Sequence, residues 1–385
     1  MRCFMVAAFY FAGVLSAWEP ERANLATIAL GLACPDQNVC YIGAGQDGAG
    51  NAVIVTRNGG QSYERATLVD GQPPSVMMLM STAASSATHA ATAGMGFGTN
   101  VRATTDGESF APLGMIGLLG VTQNLRTIPG TRGYAQTGSF ASLEGEGEVA
   151  ISLDGESWQL HDVPDEALGG TARYGAFVDA NTWYISGGTW PRATGFGLNE
   201  TVHAFSETIA INKKTGQFKY APVENRAARN GYIAAVARTR DGGATFQNVY
   251  LAQNQGYYFN QIECPTVSVC YVVGEGPAGA RIMGTQDAGA TWRILWEPTT
   301  RTNLMGLTFL SQNEGWACGS QAPAPFEIDT LFLHTTNGGR SWTPHLAGGM
   351  SMCTDMSFHG GQPNFAHATA LSPSSSTSGT YVYRA

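Results

Sequence analysis

The chain has 385 residues, of which 49 are glycine and only 13% are charged. This composition leaves little room for long solvated helices and excludes a coiled coil or an all-helical bundle, while 43% hydrophobic residues argue against disorder. The formal net charge is -8, so the sequence lacks the basic surface that a nucleic-acid backbone requires. We therefore expect a folded, turn-rich protein that does not bind nucleic acid.

The N-terminus predicts a secretory signal peptide over residues 1–16. Arg2 supplies a short positive segment, an apolar run extends from Cys3 to Leu15, and small residues follow at Ser16 and Ala17. A membrane span needs about 20 apolar residues, so an N-terminal anchor is the weaker alternative. We predict a secreted or secretory-lumen protein whose mature chain, 17–385, is one domain without a transmembrane segment.

Six cysteines remain after the signal peptide, an even number typical of an exported protein. Two pairs share the pattern Cys-Pro-x4-Cys-Tyr, in which a five-residue loop between two strand ends can close a hairpin disulfide without strain. Elimination alone leaves the last two cysteines for each other. The predicted disulfides are Cys34–Cys40, Cys264–Cys270 and Cys318–Cys353. Free thiols are an alternative, and metal binding is disfavoured because no Cys-x2-Cys or nearby His spacing occurs.

An eight-residue pattern recurs six times and predicts hairpins. Its full form, as in Thr335 to Trp342, reads Thr-x-Asn-Gly-Gly-x-Ser-Trp, and two copies lack one Gly. The Asp or Asn side chain bonds its own turn, and Gly supplies the positive φ. The turn residues are Asn58, Asp106, Asp154, Asp241, Asp287 and Asn337. We expect them to stabilise turns, because calcium needs about six to eight oxygen ligands and each turn offers at most one carboxylate.

The spacing of these six positions predicts an all-β fold, a seven-bladed β-propeller of four-stranded blades. The positions 58, 106, 154, 241, 287 and 337 are separated by 48, 48, 87, 46 and 50 residues. All but one interval match a blade of about 40 to 50 residues. The long interval indicates an insertion in the fourth blade at about 190–230, with a hairpin of strands 207–211 and 217–221.

The seventh blade is one strand short at the C-terminus. Strands are predicted at 353–358, 364–370 and 380–384, and the chain then ends. A closed ring needs its last edge paired. We expect the mature N-terminus around Trp18 to supply the fourth strand and close the last blade.

The six copies resemble the Asp-box, also called the bacterial neuraminidase repeat, of sialidases, sortilin-type receptors, some glycoside hydrolases and photosystem II assembly and stability factors. The likeness to the last group is closest, because a Gly-Trp-Ala-x-Gly strand, Gly315 to Gly319, alternates with the box. This likeness covers the mature chain and is strongest from about residue 257 to residue 345. The resemblance implies a propeller with box turns at the blade periphery and, for assembly factors, docking of an unassembled membrane-complex subunit.

The sequence disfavours an enzyme. The sialidases that share this repeat carry a Phe/Tyr-Arg-Ile/Leu-Pro motif. This motif does not occur here, and Arg126-Thr-Ile-Pro129 resembles it only superficially. Glycosidases need two carboxylates facing a cleft, and the run Glu144-Gly-Glu146-Gly-Glu148 is expected to be a solvated loop. The histidines lack metal-ligand spacing and are expected at the surface or in strand packing: His334, His345, His359 and His367. We predict neither a cofactor nor a metal.

The insertion is the candidate partner surface. It contains exposed-type aromatic and cationic residues, which suit a protein contact on a rigid scaffold, although a plain solvated loop is the alternative. The candidate contact residues are Trp190, Arg192, Lys213 and Lys214, and Asn199 begins a glycosylation sequon.

We therefore predict a non-catalytic, secreted scaffold that binds a protein partner. A carbohydrate-binding protein or a divergent glycosidase, with a glycan as ligand, is the alternative. The plastid lumen is a less expected location, because no transit stretch separates the signal peptide from the fold.

Overall fold

The structure is a computed structural model that describes residues 17–26, 28–46, 51–69, 76–97, 101–113, 119–140, 147–189, 209–211, 218–220, 231–324, 327–349, 352–372 and 377–385. The described residues form 31 strands, one short helix, α1 (Asp165–Leu168), and one 3-10 turn (His359–Gly361). None of the helices among them is long and apolar enough to cross a membrane.

The strands of the N-terminal half have between 2 and 10 residues. In chain order they are β1 (Ala17–Ala26), β2 (Ile28–Ala33), β3 (Cys40–Gln46), β4 (Ala52–Thr56), β5 (Glu64–Arg65), β6 (Thr67–Leu68), β7 (Val76–Ala84), β8 (Ala90–Phe97), β9 (Val101–Thr104), β10 (Ser109–Pro112), β11 (Leu119–Thr127), β12 (Tyr134–Ser139), β13 (Gly147–Ser152), β14 (Gln159–Val163), β15 (Thr171–Phe177) and β16 (Trp183–Thr189).

The strands of the C-terminal half complete the described set. They are β17 (Ile209–Ile211), β18 (Phe218–Tyr220), β19 (Ile233–Thr239), β20 (Gln247–Gln253), β21 (Tyr258–Glu263), β22 (Cys270–Glu275), β23 (Arg281–Thr285), β24 (Arg293–Trp296), β25 (Arg301–Phe309), β26 (Gly315–Ala324), β27 (Glu327–Thr335), β28 (Thr343–Ala347), β29 (Met352–Phe358), β30 (Phe365–Ser372) and β31 (Thr377–Arg384).

The described strands assemble mainly into antiparallel sheets of four. Four such sheets are simple in order: β2-β3-β4-β5, β15-β16-β19-β20, β21-β22-β23-β24 and β25-β26-β27-β28. A nine-stranded sheet combines the runs β7 to β10 and β11 to β14, which join where β11 pairs with β8, and β6 adds beside β10. The hairpin β17–β18 lies within the predicted insertion and stands as a two-stranded sheet.

The last sheet joins the two ends of the described chain. Its order is β1-β31-β30-β29, so β1 is its outer strand. Trp18 of β1 pairs with Tyr383 of β31 and is buried, and its ring stacks on Phe332 of the neighbouring sheet at 4.2 Å between centroids. The N-terminal strand therefore completes the edge of the C-terminal sheet and packs against the sheet before it.

The core lies between successive sheets. β4 and β22 are buried along their whole length, as expected for strands covered on both faces. Tyr271 and Ile282 of one sheet, for example, share a buried cluster with Leu307 and Leu333 of the next. Burial between neighbouring sheets explains why these strands contain few charged residues.

Hydrogen bonds between side chains and backbone join successive four-strand runs. Most of them involve the first strands of the runs, which are β2, β7, β11, β15, β21, β25 and β29, and one starts from Ser186 in β16. Where these contacts occur, a buried polar side chain on one sheet bonds a backbone group of the next. The bonds are Leu125 N to Ser81 Oγ at 2.9 Å, Gly175 N to Asn124 Oδ1 at 3.4 Å, Ser186 Oγ to Asn260 O at 2.6 Å, Asn260 Nδ2 to Leu304 O at 2.8 Å and Leu32 N to Asp355 Oδ2 at 3.0 Å.

The backbones of β2 and β7 approach each other closely at Gly31. A Cβ atom added to Gly31 would lie 2.5 Å from the Cα atom of Ser81, so only glycine allows the two backbones to come this close.

All three predicted disulfides are present. Cys34–Cys40 and Cys264–Cys270 close local loops with a sequence separation of 6 residues, whereas Cys318–Cys353 spans 35 residues. The long-range bridge connects β26 to β29 and so covalently joins two neighbouring sheets.

One expectation about charge was wrong. Glu148, expected in a solvated acidic loop, lies in β13 and is only 1% exposed. Its carboxylate accepts a hydrogen bond from the backbone N–H of Phe140. The strand begins at Gly147, so Glu148 is carried into the sheet by the register of β13, while residues 141–146 lie outside the described part of the chain.

Several predicted features also lie outside the described residues. These are the signal peptide at 1–16, the sequon at Asn199 and the candidate contact residues Trp190, Arg192, Lys213 and Lys214.

We expect the long-range disulfide to stabilise the fold more than a local one. Replacing both Cys318 and Cys353 by Ala should lower the free energy of unfolding by about 4 kcal/mol, against about 2 kcal/mol for Cys264 and Cys270, because the stabilisation grows with loop length. Urea unfolding of the two double variants measures the difference. Equal losses in the two variants would contradict this expectation.

Candidate functional site

The six predicted turn residues each lie between the last two strands of a four-strand run. In the turn at Asp106, Oδ1 accepts hydrogen bonds from the backbone N–H groups of Glu108 and Ser109, and Thr104 Oγ1 donates to the same oxygen. Asn58 and Asn337 accept equivalent bonds through their amide oxygens. All six therefore use their side chains to hold their own turns.

The donors in these turns lower the pKa of the aspartates. Backbone donors from Ser109 and Glu108 lower the pKa of Asp106 to about 2. The hydroxyl of Thr245, followed by its backbone N–H, lowers the pKa of Asp241 to about 2, and Thr291 does the same for Asp287. The Ser157 hydroxyl is the main cause of the lowered pKa of Asp154. The carboxylate oxygens are thus occupied by local donors, which fits a structural role.

A group of charged side chains converges where several sheets face one another. We call Arg126, Arg173, Glu263, Glu275 and Asp355 the interior charge group. Arg126 Nη2 of β11 lies 2.8 Å from Glu263 Oε1 of β21, although another sheet separates these two strands. The pair therefore crosses the space between non-adjacent sheets. Its side chains are 31% and 25% exposed, so both remain accessible to a ligand.

Asp355 of β29 contributes a second carboxyl to this group. Oδ2 accepts the N–H of Leu32 and Oδ1 that of Met356. Enclosure by protein atoms is the largest influence and raises the pKa of Asp355 to about 6, against the lowering effect of Arg126, while Glu263 adds to the rise. At a pH near 6 this carboxyl therefore exchanges between a proton donor and a charged acceptor.

Arg173 and Glu275 form the other side of the interior charge group around an aromatic ring. The Arg173 guanidinium lies 4.9 Å from the centroid of the Tyr258 ring, and the Tyr258 hydroxyl donates to Glu275 Oε1 at 2.6 Å. Burial raises the pKa of the neighbouring Tyr174 hydroxyl, on which Arg173, Asp355, Arg126 and Glu275 all act electrostatically. Arginine, carboxylate and tyrosine groups are thus available together in a half-buried setting.

A second cluster lies where the first and last sheets meet. We call Cys34, Cys40, His359 and His367 the seam cluster, and all four residues are buried. His359 Nε2 lies 2.6 Å from His367 Nδ1 and 3.2 Å from Cys40 Sγ. The outer ring nitrogens contact acceptors, since His359 Nδ1 lies 2.7 Å from Asp36 O and His367 Nε2 lies 3.0 Å from Glu21 Oε2.

The electrostatics of the seam cluster follow from its burial. Desolvation is the main cause that lowers the pKa of His359 to about 4, and the nearby His367 adds to it. Burial alone would raise the pKa of Glu21, but His367, Tyr63 and Thr380 outweigh it and lower that pKa. His359 is therefore neutral and Glu21 is ionised at neutral pH.

A shallow groove adjoins the seam cluster on its outer side. The Phe365 ring forms one wall, 4.2 Å from the ring of His359, and the Arg384 guanidinium lies 5.4 Å from the centroid of the Phe365 ring. The polar lining residues are Gln37, Asn38, Asn58, Gln61, Asn364 and Arg384.

Sequence reasoning missed both assemblies. In the sequence Arg126 resembles another motif only superficially, and no local pattern links it to Glu263, 137 residues away. His359 and His367 were expected in surface or strand-packing roles, and they are indeed buried, but against a disulfide more than 300 residues away in the sequence. The only available signal was that the N-terminal strand was expected to lie beside the C-terminal ones.

We expect Asp355 to make stability depend on pH. Because its folded-state pKa of about 6 exceeds the usual value of 3.8, the folded chain binds this proton more tightly than the unfolded chain. Ionisation of Asp355 therefore costs the wild type at most about 3 kcal/mol of unfolding free energy as pH rises through the interval between these values.

The Asp355→Asn variant lacks this loss. Denaturant unfolding between about pH 3.5 and 7 should show its stability rising relative to the wild type as pH increases. The exposed Asp162→Asn change serves as the matched control and should leave the pH profile unchanged. Parallel profiles for the wild type and Asp355→Asn would refute the assignment.

No family model matches the chain, and no curated protein matches it in sequence. Solved structures do resemble it. YCF48 bound to D1 peptide superposes with a TM-score of 0.56 at 13% identity, over 96% of this chain and 97% of that one. YCF48 from Cyanidioschyzon merolae gives a TM-score of 0.51 at 10% identity, over 96% and 98% of the two chains.

An enzyme is also similar in structure. The GH74 xyloglucanase from Xanthomonas campestris gives a TM-score of 0.53 at 13% identity, over 92% of this chain but only 52% of the enzyme. At such identities these likenesses concern the fold and not the activity. Together with the repeated antiparallel sheets, they show that this chain has the fold of a β-propeller protein.

Proposed function

We propose that the chain is a seven-bladed β-propeller, closed by β1, that binds a segment of a protein partner at the interior charge group. The observation that carries this proposal is the match over nearly the full length of both chains to YCF48, a propeller whose structure holds a D1 peptide. The seven first strands and the β1–β31 pairing support the blade count and the closure.

The chemistry of the interior charge group suits an extended peptide. Arg126 and Arg173 come from neighbouring sheets, and their guanidinium groups can pair with an acidic side chain or a terminal carboxylate. Glu263 and Asp355 offer acceptors to peptide N–H groups or to a basic side chain. The mixed charges therefore favour a polar segment over an apolar one.

The proposal also includes the predicted roles of the box turns, the N-terminal segment and the insertion. We infer that the six box turns act only as structural supports and that the chain is exported after removal of residues 1–16. The inserted segment, with Trp190, Arg192, Lys213 and Lys214, would add a second contact for the same partner, and a glycan on Asn199 would limit the access to it.

A binding measurement tests the role of Arg126. We expect the full chain to bind the D1 peptide or a member of a displayed library of polar peptides, as measured by fluorescence anisotropy. Arg126→Gln should weaken binding at least about tenfold, because a hydrogen bond to a charged group contributes about 1.5–3 kcal/mol.

The matched control for this measurement is Arg340→Gln, since Arg340 is exposed beside a box turn. This variant should bind as the wild type does. Absence of peptide binding by the wild type, or equal affinities of the two variants, would contradict the proposal. Circular dichroism checks that each variant is folded.

A glycosidase is the second candidate. Glu263 and Asp355 lie within one charge group, Glu263 adds to the raised pKa of Asp355, and a raised pKa is what a general acid requires. The likeness to the GH74 xyloglucanase points to a polysaccharide as the first substrate to test.

The enzymatic candidate predicts release of reducing ends from xyloglucan. Loss of general acid catalysis in Asp355→Asn should lower the rate by about 10²–10⁴-fold, and Glu263→Gln should also lose activity. Asp162→Asn again serves as the control. No hydrolysis by the wild-type chain removes this candidate and leaves the binding role.

A further inference from the structure

We propose that the seam cluster is a redox-controlled metal site: when the Cys34–Cys40 disulfide is reduced, the two thiolates and the imidazoles of His359 and His367 bind one Zn²⁺. The ligands would form a Cys2His2 set, which is the donor set of many structural zinc sites. This inference is independent of peptide binding, because the seam cluster and the interior charge group share no residue.

The donor atoms already lie close enough to share one ion. The ligand atoms of the four residues all lie within 4.8 Å of one another. Cys40 Sγ is 3.2 Å from His359 Nε2 and 3.8 Å from His367 Nδ1. Zinc bonds of about 2.0–2.3 Å in a tetrahedron separate neighbouring donors by about 3.3–3.8 Å. The two imidazole nitrogens, at 2.6 Å, must move apart, and so must the two sulfurs once the bond between them is reduced.

The outer ring nitrogen of each histidine contacts an acceptor, which leaves the inner nitrogen available to bind a cation. His359 Nδ1 faces the carbonyl oxygen of Asp36, so its N–H donates there and leaves the lone pair of Nε2 directed inward. His367 Nε2 faces the carboxylate of Glu21, which directs the lone pair of Nδ1 inward. Two lone pairs at 2.6 Å repel each other unless a shared proton or a metal ion lies between them.

Glu21 is itself held in place. Tyr63 donates its hydroxyl to Glu21 Oε2 at 2.6 Å, and Thr380 donates to the same oxygen at 3.2 Å. A fixed carboxylate behind a metal-binding imidazole orients the ring and increases its basicity, and zinc sites commonly contain this arrangement. The cluster thus contains four ligands together with the groups that orient both imidazoles.

The second disulfide of the same pattern gives an internal comparison. Cys264 and Cys270 have the same spacing and the same flanking Pro and Tyr, yet in the described part of the chain they belong to no group of three or more potential ligands. The sequence pattern of the loop therefore does not by itself create the site. The histidines brought to Cys34 and Cys40 by β30 and the turn before it make the difference.

The redox step is a two-electron thiol–disulfide exchange. A small dithiol supplies two electrons and two protons, the Sγ–Sγ bond of Cys34–Cys40 breaks, two thiols form, and the dithiol becomes a cyclic disulfide. Zinc then displaces both thiol protons to solvent and bonds the thiolates. In the oxidised chain each sulfur is committed to the Sγ–Sγ bond and no thiolate is available.

The ion would join the first and last sheets. Cys34 and Cys40 bracket the loop between β2 and β3, whereas His359 directly follows β29 and His367 lies in β30. The disulfide only closes a loop within one sheet. The reduced chain could therefore replace a local cross-link by one that spans the closure between the chain ends.

Zinc content and cysteine protection in one preparation provide the test. The full chain is produced in a reducing cytosol with added zinc and purified without oxygen. We expect one bound zinc per chain and protection of Cys34 and Cys40, but not of Cys264 and Cys270, against alkylation as read by peptide mass spectrometry. A chelator should abolish that protection. A folded, reduced chain without zinc, or equal alkylation of both pairs with and without chelator, overturns the proposal.

Cobalt(II) in place of zinc reports the ligands directly. The reduced chain should show the absorption of thiolate-bound tetrahedral cobalt, and the oxidised chain should not. His367→Gln should lose this spectrum, while the control His345→Gln keeps it. Glu21→Gln should keep the spectrum but bind the metal about 10–100-fold more weakly, as expected for loss of an orienting carboxylate. An unchanged spectrum in folded His367→Gln would refute the ligand assignment.

Discussion

The structure depends most on the polar contacts that fix one sheet to the next. Within a sheet, antiparallel hydrogen bonds pair the backbone N–H and C=O groups of the inner strands. These bonds do not determine how one sheet packs against the next. Buried side chains such as Ser81, Asn124 and Asn260 fix this packing through hydrogen bonds to the backbone of the next sheet. A buried hydrogen-bonding group that loses its partner costs about 1–3 kcal/mol of stability. Asp355 makes the corresponding contact between the last sheet and the first through the N–H of Leu32. The apolar clusters between the sheets then pack in a defined orientation rather than in several equivalent ones.

The same contacts explain why charge collects in the interior. Arg126 and Glu263 meet although their sheets are not adjacent. Asp355 belongs to both systems, since it accepts backbone N–H groups and also interacts with Arg126 and Glu263. Its raised pKa is the cost of this enclosed position. A ligand that enters the interior charge group would therefore also act on the contact that joins the last sheet to the first.

The seam between the first and last sheets differs from the other joins because it brings together segments from opposite ends of the chain. β1 pairs with β31, and Glu21, Tyr63, His359 and His367 form one connected set across the join. Their proximity exists only when the chain ends have come together. A ligand that binds this set would favour the form in which the chain ends are joined, by mass action.

The sequence by itself determined the features that depend on near neighbours. The turn residues bond N–H groups only two to four positions away, as Asp106 and Asp241 do, and the loop of Cys34–Cys40 closes over six positions, so composition and spacing were sufficient to predict them. The even number of cysteines also predicted Cys318–Cys353, although no geometry supported it. Tertiary structure alone decided that Glu148 is buried, that Arg126 faces Glu263, and that two histidines reach the Cys34–Cys40 pair. The last two of these contacts join positions 137 to more than 300 residues apart, and the free energy that selects them comes from the packing of whole sheets, which no local pattern of residues encodes.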